Sequence, residues 1–148
     1  MSGITVGVDG SANARGALDW AIREAVTRSA PVTVLTVNEV TASFWTGKST
    51  TLPSDQLMLE TARTAVTELA SKAVIELGGP KPVSVTINAI NGLAANELVK
   101  ASKDADLLVV GARGGAQSGG LAGHTPIGSV SNKVLHHARC PVVVVPAS

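Results

Sequence analysis

The residue types best suited to chemistry lie late in the chain, where seven glycines fall between Gly111 and Gly128 in the segment VVGARGGAQSGGLAGHTPIGSVSNKV. Glycine lets backbone amides approach an anion without an intervening Cβ. The helical spacing from Val130 to Ala138 adds the unpaired amides and positive dipole end of a helix opening near Gly128. Ser129 and Ser131 bring hydroxyl donors to the same place. The chemistry expected is the cradling of phosphate groups. Composition leaves a second reading open, a flexible surface loop ended by an ordinary serine cap. The Walker A pattern and the Gly-x-Gly-x-x-Gly dinucleotide fingerprint are both missing, so only the general physics of phosphate cradling applies.

Asp9 closes the first apolar run, in Asp9-Gly10-Ser11. Its carboxylate can accept from a ribose hydroxyl or hold a divalent cation beside phosphates, and it can equally serve as an Asx-turn residue before a helix. Arg113 is either a phosphate partner or a solvated loop arginine. His136 and His137 are adjacent and point in different directions on a helix, with no Cys, Asp or Glu at ligand spacing in that segment. They are expected to complement a helix C-terminus rather than to bind zinc. Cys140, the single cysteine, precedes Pro141 and reads as a small buried hydrophobe, with no intramolecular disulfide to form.

The elements that must position these residues follow from periodicity. Gly3 to Val8 reads as a strand. Ala14, Ala17, Leu18, Ala21, Ile22 and Ala25 then recur at helical spacing, with Ser11 as the expected N-cap. Val32 to Val37 is a second strand, followed by a polar loop from Asn38 to Pro53. From Ser54 to Leu77, the residues Leu57, Met58, Ala62, Ala65, Val66, Leu69, Ala73 and Leu77 mark the expected inward face of a long helix. Val83 to Ala89 alternates as a half-buried strand at or near a sheet edge, and Ala94 to Ser102 is helical. Leu107 to Val110 reads as a central strand buried on both faces, and Val142 to Val145 closes the pattern as an edge strand. Five strands alternating with four helices predict an α/β fold, a doubly wound five-stranded parallel sheet with helices on both faces, in one domain over residues 1–148. In such sheets ligands bind beyond the carboxyl ends of the strands, where Asp9 and Gly111 both stand.

Totals bound the function classes. The apolar fraction is 45% with 2% aromatic residues, so the core must be aliphatic. Twelve Lys and Arg against eleven Asp and Glu form no basic stripe, and no nucleic-acid partner is expected. No apolar run approaches the ~20 residues of a membrane span, so no membrane partner is expected either. An N-terminus running directly into a strand lacks the pattern of a signal peptide, and a lone cysteine suits a reducing compartment, so a soluble cytoplasmic protein is expected.

Three segments, ITVGVDGSANARGALDWAIREA, DADLLVVGARG and GSVSNKVLHHARCPVVVVP, resemble the universal stress protein family, and the likeness runs across essentially the whole chain. The nucleotide-binding branch of that family carries Gly-x2-Gly-x9-Gly followed by Ser or Thr. Gly111-Ala112-Arg113-Gly114 and Gly128-Ser129 match the two ends, but thirteen residues rather than nine lie between Gly114 and Gly128. Loop closure changes slowly with length, so the ends can still meet, and only the ends are carried over. The resemblance implies that Asp9 lies near the ribose or phosphates, with Mg or Mn accompanying the nucleotide there, and that Val37 meets the adenine through its backbone. Gly111, Arg113, Gly114, Gly128, Ser129, Val130 and Ser131 would line the phosphate path. ATP is the expected ligand, with AMP and cyclic AMP as alternatives. The resemblance also implies a homodimer formed by antiparallel pairing of Val142 to Val145 with the same strand of a second chain. The expected function is that of a dimeric, ATP-binding regulatory protein of the stress response. Slow ATP hydrolysis, with Asp9 placing a metal and His124 orienting water, is one alternative, and an interaction module that binds no nucleotide is the other. The sequence offers no combination of base, lysine and second carboxylate that would make it an efficient hydrolase.

Overall fold

A computed structural model describes residues 3–9, 14–39, 53–79, 82–112 and 128–146. The chain alternates β1 (Ile4–Gly7), α1 (Ala14–Arg28), β2 (Val32–Glu39), α2 (Pro53–Leu77), β3 (Val85–Gly92), α3 (Ala94–Ser102), β4 (Leu107–Gly111), α4 (Ser129–His137) and β5 (Val142–Val145). Every pairing is parallel and the strand order is β3-β2-β1-β4-β5. This is the doubly wound sheet expected from the sequence, and its formation follows from strands too apolar to leave either face in water.

The two faces carry separate cores. Ile4, Val6, Val32, Val34, Leu107 and Val109 pack against the buried alanines, Leu18 and Ile22 of α1 and against Val66, Ala70 and Ala73 of α2. Leu35, Leu108 and Val110 pack against Leu98 of α3 and Val134 of α4 on the other face. Alternation along each strand makes this division, since successive side chains point to opposite faces. α1 buries all six residues named by its spacing. It ends at Ser29, whose φ of 53° turns the chain so that the Ala30 N–H reaches the Ala25 carbonyl at 3.0 Å.

α2 departs from its expected face. Leu57 and Met58 are 71% and 57% exposed and Ala65 is also exposed, whereas Leu59, Val66, Ala70 and Ala73 are buried. The buried set is spaced by seven, four and three residues, which keeps it on one helix face, and α2 contacts α1, β2 and β3. Leu57 lies two residues from Leu59, about 200° around the helix, and so cannot share that face. An alanine-rich helix presents several near-equivalent apolar stripes, and the sheet selects one of them.

β3 is an edge strand as expected, but it starts later and runs on to Gly92, because β2 extends to Glu39 and the two pair residue for residue over their length. β5 forms the opposite edge, with all four valines half-buried. Val143 and Val145 lean on the α1 side, Val142 and Val144 on the α4 side. Cys140 is half-buried against the second core, and burial pushes its thiol pKa up. His136 and His137 are exposed in the last turn of α4, the place where cationic or hydrogen-bonding side chains complement the dipole. No described helix is long and apolar enough to cross a membrane.

Candidate functional site

The order β3-β2-β1-β4-β5 puts β1 and β4 side by side while their following helices leave for opposite faces. A crevice opens at such a reversal because neither connection covers it. Val6 is level with Val109, so Asp9, just past the end of β1 and exposed, stands beside the Gly111-Ala112 end of β4. Two residues more than a hundred positions apart thus stand at the carboxyl ends of adjacent strands.

The far side of the loop after β4 comes back to the same point. The Gly128 N–H donates to the Ala112 carbonyl, and the Ala112 N–H donates to Val145 at 2.8 Å. Gly128 is the N-cap of α4 with extended geometry, φ −71° and ψ 167°, and no side chain caps the helix. The first helical hydrogen bond runs from the Asn132 N–H to the Gly128 carbonyl, at 2.9 Å. The amides of Ser129, Val130 and Ser131 therefore have no acceptor within α4 itself, the arrangement that binds anions at helix N-termini. Arg113 and Gly114, like Ser11, His124 and the rest of 113–127, lie outside the described residues.

Individual contributions differ from those the sequence distributes evenly. Gly128 engages its own amide in closing the loop base. Ser129 is exposed, Val130 is half-buried against the second core, and Ser131 is 4% exposed. The Ser131 hydroxyl donates to the Gly111 carbonyl. A hydroxyl has one proton, so this bond leaves none for a phosphate.

Val37 is placed by register. β1 pairing with β2 reaches Gly7 opposite Leu35, and the Val8 N–H donates to the Leu35 carbonyl at 2.9 Å. Peptide groups alternate sides along a strand, so Val37 turns its N–H and C=O the same way as Leu35, over the space beyond the end of β1. Its opposite neighbour in β3 is Ile90, and its side chain packs against the second core.

Other residues at this end of the sheet have no distinguishing mark in the sequence. Asn38 Nδ2 donates to Asn91 Oδ1 at 2.9 Å across the β2–β3 pair, and Glu39 Oε1 accepts from the Ala94 N–H at 3.3 Å at the start of α3. Gly7 allows Leu98 of α3 to lie against the end of β1, since a Cβ there would stand 2.8 Å from Leu98 Cδ2. Only the register, which brings positions more than fifty residues apart together, reveals these contacts. Arg15, in the first turn of α1, is held by Asp19 and reaches Glu76 of α2 at 2.6 Å. The Asp19 hydrogen bond, then that of Glu76, lifts its pKa above the usual guanidinium value, so the cation is engaged by two carboxylates of the chain itself. Among the described residues no three His, Cys, Asp or Glu side chains gather as a metal site.

Comparison with known proteins agrees with this architecture. The model of the universal stress protein family matches residues 1–146. A universal stress protein of Mycolicibacterium smegmatis is 38% identical over 144 residues, and the Mycobacterium tuberculosis universal stress protein Rv2623 is 36% identical over 152 residues. Each alignment covers 97% of this chain but 47% of the relative, so the chain spans about half the length of those relatives. Among solved structures, UspA of Lactobacillus plantarum superposes with a TM-score of 0.74 at 20% identity, covering 97% of both chains. A universal stress protein in complex with cAMP superposes at 0.66 with 24% identity, covering 98% of this chain and 96% of that one. The Archaeoglobus fulgidus protein in complex with dAMP gives 0.64 with 20% identity and covers 98% of both. With five parallel strands in this order and a family match across nearly its whole length, the chain belongs to the universal stress protein family.

Proposed function

We propose that this protein binds an adenine nucleotide, ATP in the first instance, in the crevice between β1 and β4 and acts as a nucleotide-dependent regulatory protein. The observation that carries this reading is the convergence of three features at one strand-order reversal. They are the uncapped first turn of α4, the glycine-lined end of β4 and the outward peptide edge of Val37. The amides of Ser129 and Val130 face the anion, with Gly111 and Gly128 keeping the backbone open beside it, and Arg113 and Gly114 continue the phosphate path. One N–H and one C=O from Val37 match the acceptor N1 and donor N6 of adenine. Guanine presents the reverse pattern at that edge. Asp9 accepts from the ribose or holds a Mg or Mn ion with the phosphates. Complexes of fold relatives with cAMP and dAMP support an adenine nucleotide as the ligand class.

The half-buried valine edge of β5 supports antiparallel pairing with a second copy, giving a homodimer that places the two crevices in one assembly. The reading places the protein in the cytoplasm, where ATP is available. Nucleotide released on denaturing the purified protein, together with melting temperatures in ATP, AMP and cyclic AMP, tests the central claim. Release of an adenine nucleotide and a raised melting temperature are expected. If no nucleotide is released and all three leave the melting temperature unchanged, an interaction module without nucleotide replaces this reading. Phosphate release that falls in Asp9→Ala would instead establish hydrolysis. A monodisperse monomer at micromolar concentration in light scattering would remove the dimer.

A further inference from the structure

We propose that Ser131 is a positioning residue of the nucleotide site: its hydroxyl locks the end of β4 to the first turn of α4 and touches no phosphate itself. The inference rests on the nucleotide reading above and gives Ser131 a different part from its neighbours. Three observations carry it. Ser131 is 4% exposed, its hydroxyl donates to the Gly111 carbonyl, and that carbonyl belongs to the last residue of β4, at the crevice. Along β4 the peptide of Leu108 turns toward β5, where its N–H reaches Pro141 at 3.0 Å, so alternation turns that of Gly111 toward β1 and the crevice. An uncapped carbonyl there would direct lone pairs at an incoming anion. The Ser131 hydroxyl covers it.

The same bond fixes geometry. Gly128 is held to Ala112, and Ala112 to Val145, so the base of the loop is joined to the sheet through the backbone. Backbone bonds fix where α4 enters, and Val130 and Val134 pack its inner face on the second core. Ser131, two residues into the helix from Ser129, supplies a side-chain tie from the helix body to the strand and so sets the direction of the Ser129 and Val130 amides. Small displacements of such donors are felt strongly in anion binding, because the interaction depends on both distance and angle. Lys133 Nζ on Asn96 Oδ1 at 3.1 Å braces the next turn of α4 against α3, but it is exposed and solvent competes with it.

The test compares wild type, Ser131→Ala, Ser131→Thr and Ser131→Cys by calorimetric titration with adenosine, AMP and ATP, and by amide hydrogen exchange without nucleotide. In ligand-free Ser131→Ala the exchange of the Gly128 and Asn132 amides, both hydrogen-bonded in the structure, should accelerate. Affinity for AMP and ATP should fall together by about tenfold, the equivalent of one lost hydrogen bond, while that for adenosine stays within about twofold. Ser131→Thr, which keeps the hydroxyl, should restore both. If the alanine variant does not fold, the cysteine variant, close in shape with a weaker donor, should show the same pattern at smaller amplitude.

Unchanged exchange, with a loss confined to ATP, would make Ser131 a direct ligand of one phosphate and overturn the proposal. So would unchanged affinity in both the alanine and cysteine variants. A wild-type protein that binds none of the three ligands overturns the nucleotide reading itself, and with it this inference. That failure is distinguishable because it is seen before any variant is made.

Discussion

Replacing Ser129 by proline removes one backbone N–H from the mouth of the site while sparing the helix that carries it. Ser129 is the first residue of α4, the position where proline is best tolerated, because its N–H has no partner within the helix. Gly128 already has φ −71° and ψ 167°, the extended conformation that a residue before proline requires. The Gly128 carbonyl continues to accept from Asn132, and no intrahelical hydrogen bond is lost. Stability should therefore change by no more than about 0.5 kcal/mol.

If the Ser129 amide donates to a phosphate, its loss removes a hydrogen bond to a charged group, worth about 1.5–3 kcal/mol, or roughly 10- to 150-fold in affinity. Ser129→Ala is the control, since it deletes the hydroxyl and keeps the amide. Titration of both variants with ATP and adenosine isolates the amide as the difference between proline and alanine. ATP binding in the proline variant should weaken by the stated amount relative to alanine, with adenosine binding equal in the two. Equal ATP affinities, with both proteins folded by melting temperature, would refute the claim that the first turn of α4 holds the anion.

Further expectations concern the scaffold. Gly7→Ala puts a Cβ 2.8 Å from Leu98 Cδ2 and should cost about 1–2 kcal/mol in denaturant unfolding, less than additively with Leu98→Ala. An additive pair would show that the two positions do not interact. Ser29→Gly relieves a left-handed residue at the end of α1 and should raise stability by about 0.5–1 kcal/mol, read as a higher denaturation midpoint. Burial holds the Cys140 thiol above its ordinary value of 9.0, so alkylation at pH 8 should be slower than in the unfolded chain. The folded state keeps this proton longer than the unfolded one. Its stabilising contribution is full below the ordinary thiol value and lost as pH rises through the raised one. Equal alkylation rates in folded and unfolded protein would contradict this.

Much of the architecture was legible because it rests on local periodicity. The alanine and leucine spacing of α1, the uninterrupted apolar run of β4 and the alternation in β3 each state their element and degree of burial within a few turns or residues. The glycine-rich stretch after β4 was equally visible, as were the helix start at Gly128-Ser129 and the edge position of β5. Less was legible where several local patterns compete. α2 has apolar residues around much of its circumference, and its spacing in the sequence placed Leu57 and Met58 inward and left out Leu59, whereas the sheet selected the stripe that holds Leu59.

The glycine-rich sequence after β4 and the helix that opens after Gly128, and so the chemistry proposed for the candidate site, were legible in the amino-acid sequence alone, since unpaired amides at a helix start are a property of the backbone itself. Tertiary structure decided which parts of that chemistry face the ligand. It set β4 beside β1, carried Val37 past the end of β1 and turned the Ser131 hydroxyl back onto the Gly111 carbonyl. The physical reason is one of range. Side-chain periodicity is written within a few residues, whereas strand neighbours, hydrogen-bond register and the direction of a buried hydroxyl arise only when distant segments pack together.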